Sequence, residues 1–432
     1  MATPTFVQTA NQSFSAATTV NAALTGVAAG NTLVAIWMTT ATDNRNPQFT
    51  DNNSGVWSKV IQVQPDRTIR IAYAPNHASG NTTVTATWTG TTSGIMILVE
   101  VAGANTTYPI DALDTLYDST SNNASTCSAG LNSLGTEVLA ICGGVTNAAM
   151  TASVVGSGFT AIRDNDTRYL VQYQGFDSGF TGQTFPWTHT GTARTSTNFV
   201  VCLSGLGTGR SATRIAASAD DAEMYTAAEG KSPGSGTGTR VMSLTGYGST
   251  VVANAIRVGR PASGTGTSNV SGYRFLAPGM ANAATINSAY LIVESVDTYT
   301  SGTLEVVVSG ENVDSAAAFT TTTGNLDSTA RPRTTADSGT VSMATQIAQL
   351  EQRIAVTSAV QAVVNRAGYT STSDVALLLD ILSTSAQSDW QEIYSYNANT
   401  TKCAKLVVYF TDPSGGGGGG FAPRLSLLGV GR

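Results

Sequence analysis

The chain has 432 residues, a net charge of −6 and only 12% charged residues, about half of the typical globular share of roughly 25%. This acidic balance argues against nucleic acid as a partner, because phosphate binding needs a basic face, and no apolar run reaches the roughly 18 residues that a membrane span requires. Since 41% of the residues are apolar and lie in short bursts rich in Thr and Val, the composition predicts a folded β-rich protein of two or more domains.

Short strands separated by turn residues fill the first half of the sequence. In 81–89, for example, Val84, Ala86 and Trp88 alternate with three threonines, as expected of a strand with one buried face. The spacing of such runs predicts a β-sandwich domain over residues 1–206. The strands predicted in it are 31–38, 68–73, 81–89, 95–101, 136–142, 159–163, 168–174 and 197–203.

A glycine-rich stretch suggests a linker over 207–217, followed by a second β domain over 218–413. One helix is predicted there, because Val360, Val363 and Val364 form an apolar stripe that Thr357 or Ser358 can cap. The segment 342–356 is ambiguous between helix and strand. The predicted strands of this half are 239–244, 251–258, 272–276, 288–296, 303–310, 376–382 and 404–411.

The C-terminal segment 414–432 differs from both domains. Six consecutive glycines, Gly415–Gly420, predict a flexible tether, and the peptide after it is apolar. A tethered apolar peptide can dock on a partner, whereas the alternative is a disordered terminus. The candidate anchor residues are Phe421, Leu425, Leu427, Leu428 and Val430.

The sequence offers little catalytic chemistry. Its two histidines, His77 and His189, lie in a turn and in a strand-like stretch, and no G-x-S-x-G elbow surrounds a serine. Acidic residues cluster near 111–118, 164–166 and 220–223, a pattern more typical of solvated turns than of a glycosidase pair. We therefore expect a non-enzymatic protein without a cofactor, and a structural calcium ion in such loops remains an alternative.

None of the four cysteines has the spacing of a zinc site. Cys142, Cys202 and Cys403 lie within apolar strand-like runs, which predicts buried free thiols. A disulfide between Cys127 and Cys142 across a hairpin is the alternative, but the N-terminus carries no recognisable export signal.

The tryptophans are the remaining candidates for a binding surface. Trp37 and Trp88 occupy inward-facing strand positions and are expected in the core, whereas Trp57 and Trp187 are the candidate exposed contacts for a glycan. Trp390 is the fifth ring, and burial of the tryptophans in the core is the interpretation that we favour over a sugar-binding platform.

Two parts of the chain resemble known modules. The pieces 26–35, 50–57, 72–76, 81–87 and 99–104 resemble a β-sandwich module common in phage virion proteins and bacterial surface proteins. The pieces 218–223, 271–275, 284–291, 308–312, 359–369 and 404–409 resemble a jelly-roll module of phage structural proteins, related to carbohydrate-binding modules. The segment 342–356 departs from that pattern. The resemblance implies an all-β fold of two antiparallel β-sandwich or jelly-roll domains, with one short helix in the second, and no catalytic residues.

These observations predict a structural protein on the surface of a tailed phage particle, as capsid decoration or as an appendage. The expected partners are the major capsid protein or another virion protein and further copies of the chain, with a trimer as the specific expectation. The protein would be assembled in the host cytoplasm and released by lysis. The alternative is a receptor-recognition protein of a tail or head fibre that binds host-surface glycans.

Overall fold

In the described part of the chain the regular secondary structure is almost all antiparallel strand, as the composition predicts. The computed structural model describes residues 3–41, 45–63, 67–122, 124–128, 130–164, 166–191, 193–205, 209–226, 240–243, 255–259, 270–297, 304–322, 324–343, 348–382 and 390–413. We call residues 3–205 the first half and residues 209–413 the second half. The predicted tether and its anchor residues, 414–432, lie outside the described residues.

The first half contains three sheets. The first sheet has the order β1 (Thr5–Val27), β6 (Gly80–Ala102), β2 (Thr32–Thr39), β5 (Ile69–Ala74) and β4 (Ser58–Val63), with β3 (Gln48–Asp51) also paired to β6. The second has the order β11 (Thr160–Arg163), β12 (Tyr169–Phe176), β9 (Val138–Thr146), β14 (Arg194–Ser204) and β7 (Ile110–Asn122). The third has the order β10 (Ala152–Val155), β13 (Pro186–Thr190) and β8 (Ala124–Thr126).

The second half is built on two larger sheets. The fourth sheet has the order β15 (Arg210–Arg214), β27 (Lys405–Thr411), β20 (Thr285–Glu294) and β24 (Glu351–Ala355). The fifth has the order β17 (Arg240–Ser243), β16 (Asp221–Thr226), β19 (Val270–Phe275), β25 (Val375–Ile381), β21 (Glu305–Glu311) and β22 (Arg333–Asp337), with β23 (Val341–Ser342) on β21. A two-stranded sheet, a 3₁₀ turn and a helix complete it: β18 (Ile256–Gly259) with β26 (Trp390–Ile393), Ser218–Asp220, and α1 (Thr357–Val364).

Strict alternation along the central strands produces several apolar layers. In β2, Val34 and Ile36 pack toward the second sheet. Leu33 and Trp37 point to the opposite face, where they pack with the last residues of β1 and the first residues of β6. Successive side chains of a strand point to opposite faces, so a run that is apolar throughout buries both faces at once. This explains why β2 is buried along its whole length.

The helix forms where its apolar stripe predicts it. Val360, Val363 and Val364 are buried in the core between the fourth and fifth sheets. The predicted cap is wrong, however: Val356 precedes the helix, and the Thr357 hydroxyl accepts a hydrogen bond from the amide of Ala289 at 3.0 Å. The threonine is used to attach the helix to β20.

The two halves share one apolar core, which the sequence did not predict. Ile292, Val407 and Tyr409 of the fourth sheet are buried in the same cluster as the facing layers of the first and second sheets. The prediction of a linker over 207–217 is accordingly wrong in part, because Arg210–Arg214 forms the edge strand β15, which pairs with β27. The Arg210 side chain is buried, donating to the Tyr409 hydroxyl at 3.1 Å, and this contact holds the segment in the sheet.

Candidate functional site

The two tryptophans predicted to contact a glycan are buried. Trp57 is 3% exposed and donates its indole N–H to Asp51 at 2.7 Å, and Trp187 is fully buried and donates to Asn198 at 3.0 Å. Their candidate role as exposed glycan contacts is therefore wrong, and the favoured interpretation, burial in the core, is confirmed for both rings. Each ring fills an apolar cluster while a polar side chain inside the fold satisfies its single N–H, so neither ring presents a face for a sugar.

His77 belongs to the same buried group as Trp57. Its Nδ1 lies 2.7 Å from the carbonyl of Ala78, and its Nε2 faces Asp51 at 3.4 Å with both side chains buried. Burial disfavours the Asp51 carboxylate, but the amide of Gly55 and the Trp57 indole outweigh that cost and hold its pKa below the ordinary value. A Cβ at Gly55 would collide with both Asp51 and His77. Since both ring nitrogens face protein groups, His77 fastens this turn.

The carboxylate clusters also have structural partners. Asp111 accepts the amides of Leu134 and Gly135, both at 2.7 Å, and Asp166 accepts the amides of Arg168 and Tyr169. Burial raises the pKa of Asp221 to about 7. In the described part of the chain, no group of three or more His, Cys, Asp or Glu side chains is arranged to hold a metal ion.

All four cysteines are free and buried, which confirms the predicted thiols. Cys127 and Cys142 lie in one apolar cluster without forming a disulfide. Burial raises the pKa of Cys127, and it raises that of Cys403 to about 12, so both thiols stay protonated and unreactive at neutral pH.

The least expected feature is a set of buried charges where the two halves meet, which we call the seam. The chain has four lysines, and Lys59, Lys402 and Lys405 are all less than 7% exposed and lie in the seam. Lysine is almost never fully buried unless it is paired. The concentration of so rare a residue at one interface marks the seam as the best candidate functional region. It is defined by Lys59, Arg70, Tyr73, Tyr108, Asp111, Arg210, Glu294, Glu351, Arg353, Lys402, Lys405 and Tyr409.

Two ion pairs form the centre of the seam. Lys402 donates to Glu294 at 2.7 Å, and Lys405 donates to Glu351 at 2.8 Å. Each carboxylate also accepts a hydroxyl from the first half: Ser58 donates to Glu294 at 2.7 Å, and the Tyr73 phenol donates to Glu351 at 2.8 Å. These contacts fix how the fourth sheet lies on the first.

Burial and the neighbouring charges act against each other in both pairs. Burial raises the pKa of Glu294 although Lys402 and Lys405 favour its ionised form. Burial disfavours the ammonium of Lys405, but Glu351 and Glu294 outweigh this and raise its pKa. The Glu294 carboxylate and the Lys405 ammonium are therefore supported in their charged forms by the opposite charges around them.

Lys59 joins the halves from the side of the first sheet. Its ammonium donates to Asn46 at 2.6 Å and to the carbonyl of Ala348 at 3.1 Å, and its amide donates to the carbonyl of Gln349 at 2.9 Å. Burial, reinforced by the positive charge of Lys402, lowers the pKa of Lys59 to about 7. Near neutral pH this side chain is thus close to losing its charge.

A cavity of about 210 Å³ opens beside the ion pairs. Three of its lining residues, Val60, Tyr108 and Leu113, belong to the first half, and Glu351, Gln352 and Arg353 belong to the second. A second depression of about 280 Å³ adjoins it through Leu113 and Arg353. There the Arg353 guanidinium lies over the Tyr290 ring, 4.5 Å from its centroid.

The sequence-based reasoning missed the residues of the seam. Glu351 and Arg353 lie in the segment 342–356, whose end forms β24, so its ambiguity between helix and strand is settled as strand for residues 351–355. The usable signal was Lys402-Cys-Ala-Lys405 at the start of an apolar strand. Two lysines beside such a run, in a chain with only four, indicate buried partners.

Comparison of the sequence with protein-family models and with curated proteins finds no match. Among the described residues, no helix is long and apolar enough to cross a membrane. The function is therefore argued from the geometry and from the resemblance of the sequence pieces.

Proposed function

We propose that this chain is a non-enzymatic structural protein of a phage particle, displayed on the virion surface as capsid decoration or as an appendage. The observation that carries the proposal is the seam. A displayed protein must hold its domains in one arrangement while one end is attached to the particle. A shared apolar core with buried ion pairs supplies such a rigid joint between the halves.

The distribution of charge supports a role in display. The three described lysines are buried, and several arginines are taken up by ion pairs such as Arg274 with Asp220 and Arg331 with Glu311, at 2.6 and 2.7 Å. The exposed residues are correspondingly rich in Thr, Ser, Asn and Gly. Contacts made by such a surface depend on the buried area and on hydrogen bonds more than on titrating groups. This suits a protein released by host lysis into variable surroundings.

Attachment is assigned to the C-terminal segment 414–432, with the major capsid protein or another virion protein as its partner. The tether predicted from the six glycines would let an apolar peptide reach a groove on that partner without constraining the rigid body. The five candidate anchor residues would supply the buried contacts.

Self-association, with a trimer as the specific form, is the second part of the proposal. The strand β1 is 23 residues long and lies at the end of its sheet, where within the described residues its ladder is formed with β6. A long edge strand can pair with another chain. Light scattering of the full chain would give three chain masses if this is correct, and one chain mass would contradict it.

The decisive experiment is quantitative mass spectrometry on purified particles. Copy number separates the two roles, because decoration requires hundreds of copies per particle and a fibre requires a handful. Absence of the chain from purified particles would refute the virion assignment.

Deleting Ser414–Arg432 tests the anchor. We expect occupancy on the particles to be lost while the deleted chain stays folded in solution. A matched control keeps the length and replaces the five anchor residues by serine, and it should lose occupancy equally. Unchanged occupancy in both variants would contradict the anchor.

The alternative function is recognition of host-surface glycans by a fibre protein. A glycan array with the full chain tests it directly. Trp187→Ala cannot serve as the diagnostic variant, because removing a buried ring tests the fold. The glycan function therefore needs a different binding site, and binding of no glycan on the array would count against it.

A further inference from the structure

A buried amine and an amide side chain lie in contact beside the seam. Lys59 is 1% exposed, and its Nζ lies 2.6 Å from Oδ1 of the half-buried Asn46. Because Oδ1 is bonded directly to Cγ, this contact holds the amine next to the amide carbon. Reacting atoms in a near-attack conformer are about 3–3.5 Å apart. The two side chains are therefore close enough for the amine to reach that carbon.

The surroundings of Lys59 favour its neutral amine, which is the nucleophilic form of lysine. Within the described residues its ammonium donates to two neutral acceptors, Asn46 Oδ1 and the carbonyl of Ala348. Burial and the positive charge of Lys402 lower its pKa to about 7, although Glu294 acts in the opposite direction. About half of such amines are uncharged at neutral pH, compared with fewer than about one in a thousand for an ordinary lysine.

The residue that follows Asn46 removes a competing reaction. An asparagine amide is ordinarily attacked by the backbone nitrogen of the next residue, which closes a five-membered ring. Here the next residue is the buried Pro47, and proline has no backbone N–H. This cyclisation is therefore blocked, and the Lys59 amine remains as the nucleophile in contact with the amide.

We propose that Lys59 and Asn46 join through an amide bond between Nζ and Cγ, formed by the folded chain itself. The lone pair of Nζ attacks Cγ, the Cγ–Nδ2 bond breaks, and its electron pair leaves with Nδ2. One hydrogen moves from Nζ to Nδ2, which departs as ammonia, so that atoms and charge balance without a co-reactant. The Ala348 carbonyl, 3.1 Å from Nζ, holds the attacking amine in place through a hydrogen bond.

The bond closes a covalent loop over residues 46–59. This loop contains β3 and the turn in which Asp51 accepts the indole N–H of Trp57. A covalent loop restricts the unfolded chain, as a disulfide does. Because Lys59 also forms a β-bridge with Leu350, the cross-link stabilises the first half at a point where the second half contacts it.

The cross-link also removes one titrating group. An amide nitrogen does not ionise near neutral pH, so the lowered pKa of Lys59 belongs to chains in which the bond has not formed. The mass of the intact chain distinguishes the two forms. This inference does not rest on the virion role, because it is tested on the isolated chain, and either proposal can fail while the other stands.

The test is mass spectrometry of the denatured full chain after incubation at pH 8. We expect a mass lower than that of the sequence by one ammonia molecule. Trypsin then locates the loss, because it does not cleave after a linked Lys59. The unlinked chain gives the fragments 46–59 and 60–67, whereas the linked chain gives a single fragment 46–67 that lacks one ammonia. The full sequence mass, with both short fragments, would overturn the proposal.

Three variants connect the loss of ammonia to this pair. Lys59→Met removes the nucleophile and Asn46→Ala removes the acyl group, so each should have its full sequence mass. The matched control is Asn11→Ala, which removes an exposed amide in contact with Arg163 and should still lose one ammonia. Loss of ammonia by Lys59→Met or Asn46→Ala would place the reaction elsewhere in the chain and contradict the proposed bond.

The pH dependence of bond formation tests the role of the neutral amine. Chain collected in urea before it folds lacks the contact, so the bond forms only after refolding. With a pKa of about 7 for Lys59, about a tenth of the amines are neutral at pH 6 and about nine-tenths at pH 8. Ammonia loss from the refolded chain should therefore be about tenfold faster at pH 8. Equal rates at the two pH values would refute attack by the neutral amine.

Discussion

The interface between the first and second sheets and the seam solve the same packing problem by different means. Between the two sheets, Ile97, Ile141 and Phe199 are fully buried among other aliphatic and aromatic side chains. At the seam, the same apolar cluster continues into the fourth sheet, but two lysines and two glutamates are buried beside it. One interface has an apolar centre with polar contacts such as Arg163 with Asn11 outside it, and the other interrupts its apolar area with paired charges.

The two interfaces contribute to the fold in different ways. Apolar burial stabilises without direction, at about 25 cal/mol per Å², so many similar packings of two sheets would be tolerated. A buried ion pair adds little net stability, because desolvation offsets the attraction, but it strongly penalises any arrangement that leaves one partner alone. We therefore interpret the apolar interface as the source of stability and the seam as the feature that fixes how the halves are aligned.

The largest expected effect follows from breaking one pair at the seam. Glu294→Ala leaves the Lys402 ammonium buried without its carboxylate, and it should lower the free energy of unfolding by about 3–5 kcal/mol. Urea denaturation measures this change. The matched control is Asp314→Asn, which breaks the more exposed pair with Arg366 and should cost less than about 1 kcal/mol. Similar losses in both variants would contradict the special role of the seam.

An intermediate effect comes from Lys59 and pH. The pKa of Lys59 is about 7 in the folded protein and about 10.4 in an unfolded chain, so the unfolded state binds more protons between these values. The contribution of Lys59 to stability should therefore rise with pH in that range. From pH 7 to 8.5 the gain from this one group is about 1.5 kcal/mol. The buried thiols, which ionise near pH 8.5 only in the unfolded chain, oppose this gain equally with and without Lys59.

The comparison for that measurement is Lys59→Met, which keeps every other titrating group. Denaturation of both proteins at pH 7 and 8.5 isolates the contribution of Lys59 as the difference between their pH dependences. A wild type with the same pH dependence as Lys59→Met would show that the buried ammonium keeps an ordinary pKa.

The same contrast explains how much the sequence could predict. The central strands were predictable because alternation is a local signal: 31–38 became Thr32–Thr39 and 197–203 falls within Arg194–Ser204. β1 was not predicted, although it is one of the two longest strands. No side chain of β1 is buried before Val20, so most of its sequence lacks a clear alternation of apolar and polar residues, and pairing with β6 holds it in the sheet.

The candidate site was largely unpredictable because its residues are far apart in the chain. Glu294 contacts Ser58 and Lys402, and Glu351 contacts Tyr73, so each partnership depends on how the halves meet. Trp57 and Trp187 were misjudged for a related reason. A tryptophan beside a polar turn is expected to be exposed, because its N–H needs a hydrogen-bond partner. Here that partner lies inside the fold, Asp51 for Trp57 and Asn198 for Trp187, and the sequence does not show it.

The smallest expected loss of stability comes from replacing a whole charged group by apolar side chains. The triple variant Ser58→Ala, Glu294→Met, Lys402→Met leaves none of these three partners alone, and its free energy of unfolding should be unchanged or higher by about 1–4 kcal/mol. If the charges align the halves, the same variant should unfold less cooperatively, with a lower slope in urea than the wild type. A loss of stability as large as that of Glu294→Ala would instead show that the seam charges stabilise the fold directly. Both interfaces would then act as sources of stability, and the contrast between them would fail.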